Sequence, residues 1–105
     1  MTDMTRLGID FAGIHFNNPI IPASGTFGYG REFEEFYPLS ELGGISVKGT
    51  TGQRRNGNLP PRIAETPMGM LNSVGLQNPG IDHFISTELP YLKTKGTVII
   101  ANIAA

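Results

Sequence analysis

Three short apolar runs, Ile20-Ile21-Pro22-Ala23, Gly44-Ile45-Ser46-Val47 and Thr97-Val98-Ile99-Ile100-Ala101, constrain the fold of this chain most. Runs of this kind read as strands buried on both faces, which implies a parallel sheet covered by helices. Each is followed at once by residues of another character. The first leads into Ser24-Gly25-Thr26-Phe27-Gly28-Tyr29-Gly30, the second into Lys48-Gly49-Thr50-Thr51-Gly52, and the third closes on Asn102. Flexible backbone and polar side chains therefore gather at carboxyl ends of strands, where α/β folds build their sites.

The segments between the runs fit a β-α-β order. Leu7 to Phe11 and Ile14 to Phe16, separated by Ala12-Gly13, predict an amino-terminal hairpin that covers one end of a core, with His15 on its outer side. Arg31 to Tyr37 predicts a short helix with an aromatic face, stopped by Pro38, whose Glu32, Glu34 and Glu35 form a solvated face rather than an acid-base pair. Gln53 to Pro61 is polar and reads as an exposed excursion, and Arg62 to Thr66 alternates as a short strand. Asn78 is the expected cap of a helix with Pro79 in its first turn; Ile81, Phe84, Ile85 and Leu89 fall inward at helical spacing, while Asp82, His83 and Glu88 face out. Pro90 should end or kink that helix.

Thr66 to Gly80 fits neither a long helix nor an alternating strand, and reads as an ordered loop. Gly69 and Gly75 allow close approach and unusual dihedrals, so the loop can turn amides toward one point. Met70, Leu71, Val74 and Leu76 are expected to anchor it from beneath. A plain structural connection remains the competing reading.

Several functions are disfavoured by what the chain lacks. Its 105 residues include 8 Lys and Arg against 9 Asp and Glu, a formal net charge of -1, so no basic surface for nucleic acid is present. There is no cysteine, hence no disulfide, thiolate metal site or cysteine nucleophile in these residues. No apolar run has the length of a signal peptide or of the roughly twenty residues of a membrane span, and a cytoplasmic protein is the simplest expectation. The glycines at 25, 28 and 30 run G-x-x-G-x-G, which is not the dinucleotide pattern. Lys48, at the end of a buried strand, either fixes a cation at the mouth of a site or simply leaves the core for water.

Taken together, the motifs resemble a known family. Asn18 to Gly30, Val47-Lys48-Gly49-Thr50-Thr51, Pro61 to Thr66, Gly69 to Gly80 and Ala101-Asn102-Ile103-Ala104 are similar, in the family's order, to class 1 dihydroorotate dehydrogenase catalytic subunits, and the first motif is most like class 1B. The resemblance implies an α/β fold of the TIM (β/α)8 barrel type, of which residues 1–105 would be the amino-terminal part: a hairpin and the first three or so strands. It also implies FMN-dependent oxidation of dihydroorotate to orotate in pyrimidine synthesis. Cofactor contacts would fall to Ala23, Ser24, Lys48, Gly49 and Asn102, and substrate contacts to Lys48, Asn72, Ser73, Val74, Gly75 and Leu76. In class 1B, electrons would pass to NAD through a partner subunit carrying FAD and an iron-sulfur cluster, and the catalytic subunit would be a homodimer within a heterotetramer. A related dihydropyrimidine dehydrogenase, acting on rings without a carboxylate, and a non-catalytic fragment associating through exposed strand edges are the alternatives.

A closed parallel barrel typically takes eight strands and about 250 residues, so the chain is expected to be the first third of a larger enzyme, ending as a truncation at Ala105. The family's catalytic base is a cysteine on a later loop and has no counterpart here. Residues 1–105 alone should therefore neither oxidise dihydroorotate nor hold FMN tightly. Gel filtration with FMN checks this: flavin absorbance is expected to separate from the protein peak.

Overall fold

The structure, a computed structural model, describes residues 4–105. The hairpin expected at the amino terminus is present as β1 (Ile9–Phe11) and β2 (Ile14–Phe16), antiparallel with Ile9 opposite Phe16. Ala12 and Gly13 join them with φ of 52° and 76°, the left-handed pair that matches the twist of a two-residue hairpin. Only Phe16 of the hairpin is buried, packed beside Gly44, while Phe11 and Ile14 are exposed. His15 is exposed as expected, its Nδ1 2.8 Å from an oxygen of Asp10.

The first apolar run is not a strand. Ile20 to Ala23 is extended coil with Ile20 and Ile21 exposed. Pro19 and Pro22 remove two donors from this stretch, and its contact with the next run reduces to the N–H groups of Gly43 and Gly44 donating to the Ile20 carbonyl. Ser24–Phe27 then forms a single helical turn, α1, and Arg31–Glu35 a 3-10 helix.

The other two apolar runs pair as expected. β3 (Gly44–Ser46) and β6 (Val98–Ile100) are parallel and in register, Ile45 opposite Ile99. The ladder continues past both strands through Val47 N–H to the Ile100 carbonyl and Thr50 N–H to the Asn102 carbonyl, at 3.0 and 2.9 Å. Alternation along the extended chain sends Ile45 and Val47 into the core and leaves Ser46 and Lys48 half-buried on the other side. Between β3 and β6, β4 (Ile63–Thr66) and β5 (Gly69–Asn72) make a second antiparallel hairpin with Ile63 opposite Asn72. Part of the expected loop is thus a strand, and its side chains do not anchor it from beneath. Met70, Leu71 and Leu76 are exposed and only Val74 is half-buried, because strand pairing with β4 satisfies the backbone without a core underneath.

The core lies where β3 meets the helical layer, with Phe27, Leu39, Leu42, Ile45, Val47, Phe84 and Leu92 as its buried members. Helix α2 (Ile81–His83), a π-helical turn (Phe84–Glu88) and α3 (Leu89–Lys93) run on without a break. Pro90 therefore does not end the helix. It cannot donate to the preceding turn, and the wider π turn just before it accommodates that. The same turn changes the helical phase: Phe84, Glu88 and Leu92 face inward at intervals of four, so Ile85 is exposed and Glu88 is buried, the reverse of the 3.6-residue expectation. Glu88 is satisfied there by Arg31 Nε, which donates at 2.9 Å, and by His83 Nε2 at 3.2 Å.

A second set of charges pins the 3-10 helix to α3. Tyr91 donates its hydroxyl to Glu34, Lys95 pairs with Glu34 at 2.6 Å, and Arg31 lies 3.7 Å from the Tyr91 ring centre. Burial, reinforced by the bond to Glu34, pushes the Tyr91 phenol up to about 12. The hydrogen bonds from Lys95 and Tyr91 hold the Glu34 carboxyl below its usual range. Glu34 is thus a structural clamp rather than simply a solvated charge.

Truncating Ile45, fully buried at 0% exposure, to alanine is expected to cost about 2–5 kcal/mol, whereas Glu35→Ala, at an exposed position of the 3-10 helix, should stay within about 0.5 kcal/mol. Urea unfolding of the two variants of the protein that carries this chain checks the contrast.

Candidate functional site

Two backbone devices bring the site together. The first is the parallel β3–β6 ladder, which holds Lys48, Gly49 and Asn102 at one end of the sheet. Lys48 is fixed on both sides: its N–H donates to the Gly28 carbonyl at 3.1 Å, and its own carbonyl accepts from the Thr50 hydroxyl at 3.0 Å. The turn after the α1 segment and the exit of β3 are thereby tied at one residue.

The second device is Asn78. Rather than capping the helix, whose first turn begins at Gly80, this buried amide joins three segments. Its Oδ1 accepts from the N–H groups of Thr51 and Gly80, and its Nδ2 donates to the Leu76 carbonyl at 2.8 Å and to the Thr51 hydroxyl at 3.0 Å. Asn78 and Arg55 also exchange both backbone hydrogen bonds at 3.0 Å. The end of the 73–80 loop cannot leave the exit of β3 without breaking this set.

Arg62 supports the same loop from the excursion. Its guanidinium donates to the carbonyls of Asn58 and Asn56 and to the side chain of Gln77. Gly75 sits at φ 80°, and a Cβ there would fall 2.8 Å from the Asn58 nitrogen. Leu76 follows at φ 55°, a left-handed conformation that costs a branched residue about 1–3 kcal/mol and is held by the bonds around it.

The result is a cleft of about 540 Å³, within the range of small-molecule and cofactor sites. One wall is Ser24, Gly25 and Thr26, the floor is Lys48, Gly49 and Asn102, and the far wall is Ile63, Met70, Asn72, Val74 and Leu76. The register explains the far wall: Ile63 and Asn72 are directly opposed, so with Met70 they share one face of the hairpin. Gly49 gives the floor its flatness, since a Cβ there would approach Leu76 to 3.1 Å and the Asn102 amide to 3.5 Å. Lys48 lines the cleft, and among the described residues no carboxylate lies within ion-pair distance of it.

Of the residues expected from sequence, Ser24, Lys48, Gly49, Asn72, Val74, Leu76 and Asn102 line this cleft. Ala23, Ser73 and Gly75 do not. Ala23 precedes the α1 turn, Ser73 faces a separate shallow groove with Pro61 and Leu71, and Gly75 is packed against Asn58. Gly25, Thr26 and Ile63 line it without having been singled out, as does Met70, which was expected beneath the loop instead. The alternation of Arg62 to Thr66 was the available signal for Ile63, but only the pairing partner fixes which face meets the cleft. Among the described residues there is no group of three or more metal-ligating side chains, and no helix is long and apolar enough to cross a membrane.

Comparison with known proteins gives the family. A family model described as dihydroorotate dehydrogenase matches residues 6–105. The chain belongs to the dihydroorotate dehydrogenase family. It is 56% identical over 101 residues to the catalytic subunit of dihydroorotate dehydrogenase B (NAD(+)) of Bacillus cereus strain B4264, covering 96% of this chain and 33% of that protein. The corresponding subunit of Petrotoga mobilis is 57% identical over 96 residues, covering 91% of this chain and 32% of that one. The crystal structure of DHODH from Eimeria tenella in complex with ferulenol superposes with a TM-score of 0.65 at 22% identity, over 94% of this chain and 28% of that chain. The chain thus spans about a third of the length of the curated relatives it matches. In family terms, the described residues are an α/β portion of the dihydroorotate dehydrogenase fold.

Gly75→Ala should strain the loop that carries Asn72 to Leu76 by about 1–3 kcal/mol. The expected readout is faster hydrogen exchange at the Asn58 amide, which donates to the Val74 carbonyl at 3.0 Å, with exchange in β3 unchanged.

Proposed function

We propose that the protein carrying this chain oxidises dihydroorotate to orotate, with FMN held in the cleft above Gly49 and electrons passing to NAD through a partner subunit. The observation that supports this reading most is the convergence of Lys48 and Asn102, at the end of the parallel pair, with Asn72 across a cleft of about 540 Å³. The floor suits a flat ring. Gly49 offers bare backbone, while Ser24 and Asn102 supply hydroxyl and amide groups at its rim. On the family's pattern, the remaining strands would close a (β/α)8 barrel with that ring at the carboxyl ends of its strands, and the partner would carry FAD and an iron-sulfur cluster.

Bound FMN supplies a two-electron acceptor. The residues of this chain hold the substrate and manage charge around it. Lys48 attracts the substrate carboxylate and, as a fixed cation, favours the negative charge that accumulates in the cleft during oxidation. Asn72 has both a donor and an acceptor, which suits a ring with alternating carbonyl and N–H groups. Ile63, Met70, Val74 and Leu76 make the wall beside it apolar, which keeps water from competing for those bonds. The proton released from the substrate needs a base. The 105 residues contain no cysteine, so that role is assigned to the rest of the protein.

The uncompensated Lys48 favours an anionic substrate over the neutral ring that a dihydropyrimidine dehydrogenase would take. In the full-length protein, Lys48→Ala is expected to lower kcat about 10²–10³-fold, and Asn72→Ala to weaken orotate binding about tenfold or more. Stopped-flow flavin reduction and orotate-induced changes in flavin absorbance measure the two effects. Turnover of dihydrouracil in preference to dihydroorotate would replace this reading with the neutral-ring one.

A further inference from the structure

A second concavity shares Lys48 with the cleft. It has a volume of about 380 Å³ and is lined by Lys48, Arg54, Arg55, Gln77, Asn78 and His83 among others. Lys48, Arg54 and Arg55 are three of the eight Lys and Arg in the chain, and among the described residues no carboxylate lines the concavity. Glu88, which His83 of the concavity contacts, has its two oxygens engaged by Arg31 and by His83. Like charges gathered without a counter-ion repel one another, and the arrangement gains when an anion enters.

Its geometry is set by the same Asn78 that orders the substrate loop. The paired backbone bonds between Arg55 and Asn78, both 3.0 Å, fix Arg55 beside the loop, and Arg54 Nε donates to Asn56 at 3.2 Å. Both arginines are exposed, so they meet a ligand arriving from solvent. Lys48 is the one basic residue that lines both spaces.

We propose that this basic concavity is the entry subsite for the anionic substrate: a small carboxylate is captured first by Arg54 and Arg55 and then passes to the Lys48 ammonium, which belongs to both spaces. This rests on the reading of the cleft as a dihydroorotate site and adds to it the residues that govern capture. Arg54 and Arg55 act through charge on the rate of arrival, and neither touches the reacting atoms.

The test is made on the full-length, flavin-loaded protein with the double variant Arg54→Gln/Arg55→Gln and its conservative counterpart Arg54→Lys/Arg55→Lys. The glutamine variant is expected to lose roughly five- to tenfold in kcat/KM for dihydroorotate and in the association rate of orotate at low salt. The loss should fall on kcat/KM rather than kcat, shrink as ionic strength rises past about 0.15 M where charges are screened over about 8 Å, and be largely restored by the lysine variant. Association and kcat/KM unchanged at low salt, in an enzyme that still oxidises dihydroorotate, would overturn the entry subsite and leave the proposed function standing. A loss independent of salt, or one accompanied by lost flavin, would also overturn it by showing a structural or cofactor role. If the wild-type protein fails to oxidise dihydroorotate, the proposed function falls on its own. Orotate association with its salt dependence then still decides whether the arginines capture the anion.

Discussion

The parallel pairing of β3 with β6 is the constraint on which the rest of the structure depends. Because the strands are in register and run the same way, their carboxyl ends coincide, and residues separated by more than fifty positions in sequence are delivered to one edge. The ladder does not stop with the strands. Thr50 donates to the Asn102 carbonyl and Ala104 to the Thr50 carbonyl, so the floor of the cleft is an extension of the sheet rather than a loose loop. Ile45 and Val47 secure the ladder from the core side, and the alternation that buries them is the same alternation that turns Lys48 toward the cleft.

Around that edge, polar side chains perform the work that apolar anchors were expected to do. The 73–80 loop has little core beneath it, and Met70, Leu71 and Leu76 are exposed. Asn78 and Arg62 hold it instead, by directed hydrogen bonds to backbone and side-chain partners. Directed bonds fix orientation as well as position, which a site of this kind requires, and they leave the apolar side chains free to face the cleft. The helical layer is organised in the same way. The π turn brings Glu88 inward to meet Arg31 and His83, and Tyr91, Glu34 and Lys95 fasten the segment after α1 to the last helix.

Family membership and geometry bear on different parts of the reading. The match over residues 6–105 establishes the family. The cleft shows which of its expected residues converge: Ser24, Lys48, Gly49, Asn72, Val74, Leu76 and Asn102 do, while Ala23, Ser73 and Gly75 serve the backbone around them. An ammonium with no ion-pair partner among the described residues, placed between an apolar wall and a basic concavity, is what the proposed preference for an anionic ring rests on.

By itself the sequence determined the amino-terminal hairpin, the two strands β3 and β6, the exposed excursion and the placement of Lys48 and Asn102 at strand ends, because period, turn residues and apolar runs are local signals. It also carried the family, in motifs whose order along the chain is specific. Tertiary structure decided the rest. Ile20 to Ala23 reads as a strand yet is coil, since Pro19 before it and Pro22 within it remove ladder donors. Glu88 reads as solvated yet is buried, since one wide turn rotates the helix beneath it. Which face of the β4–β5 hairpin meets the cleft, and that Asn78 and Arg62 hold the loop beside it, depend on pairings between distant residues, and period and composition carry no record of those partners.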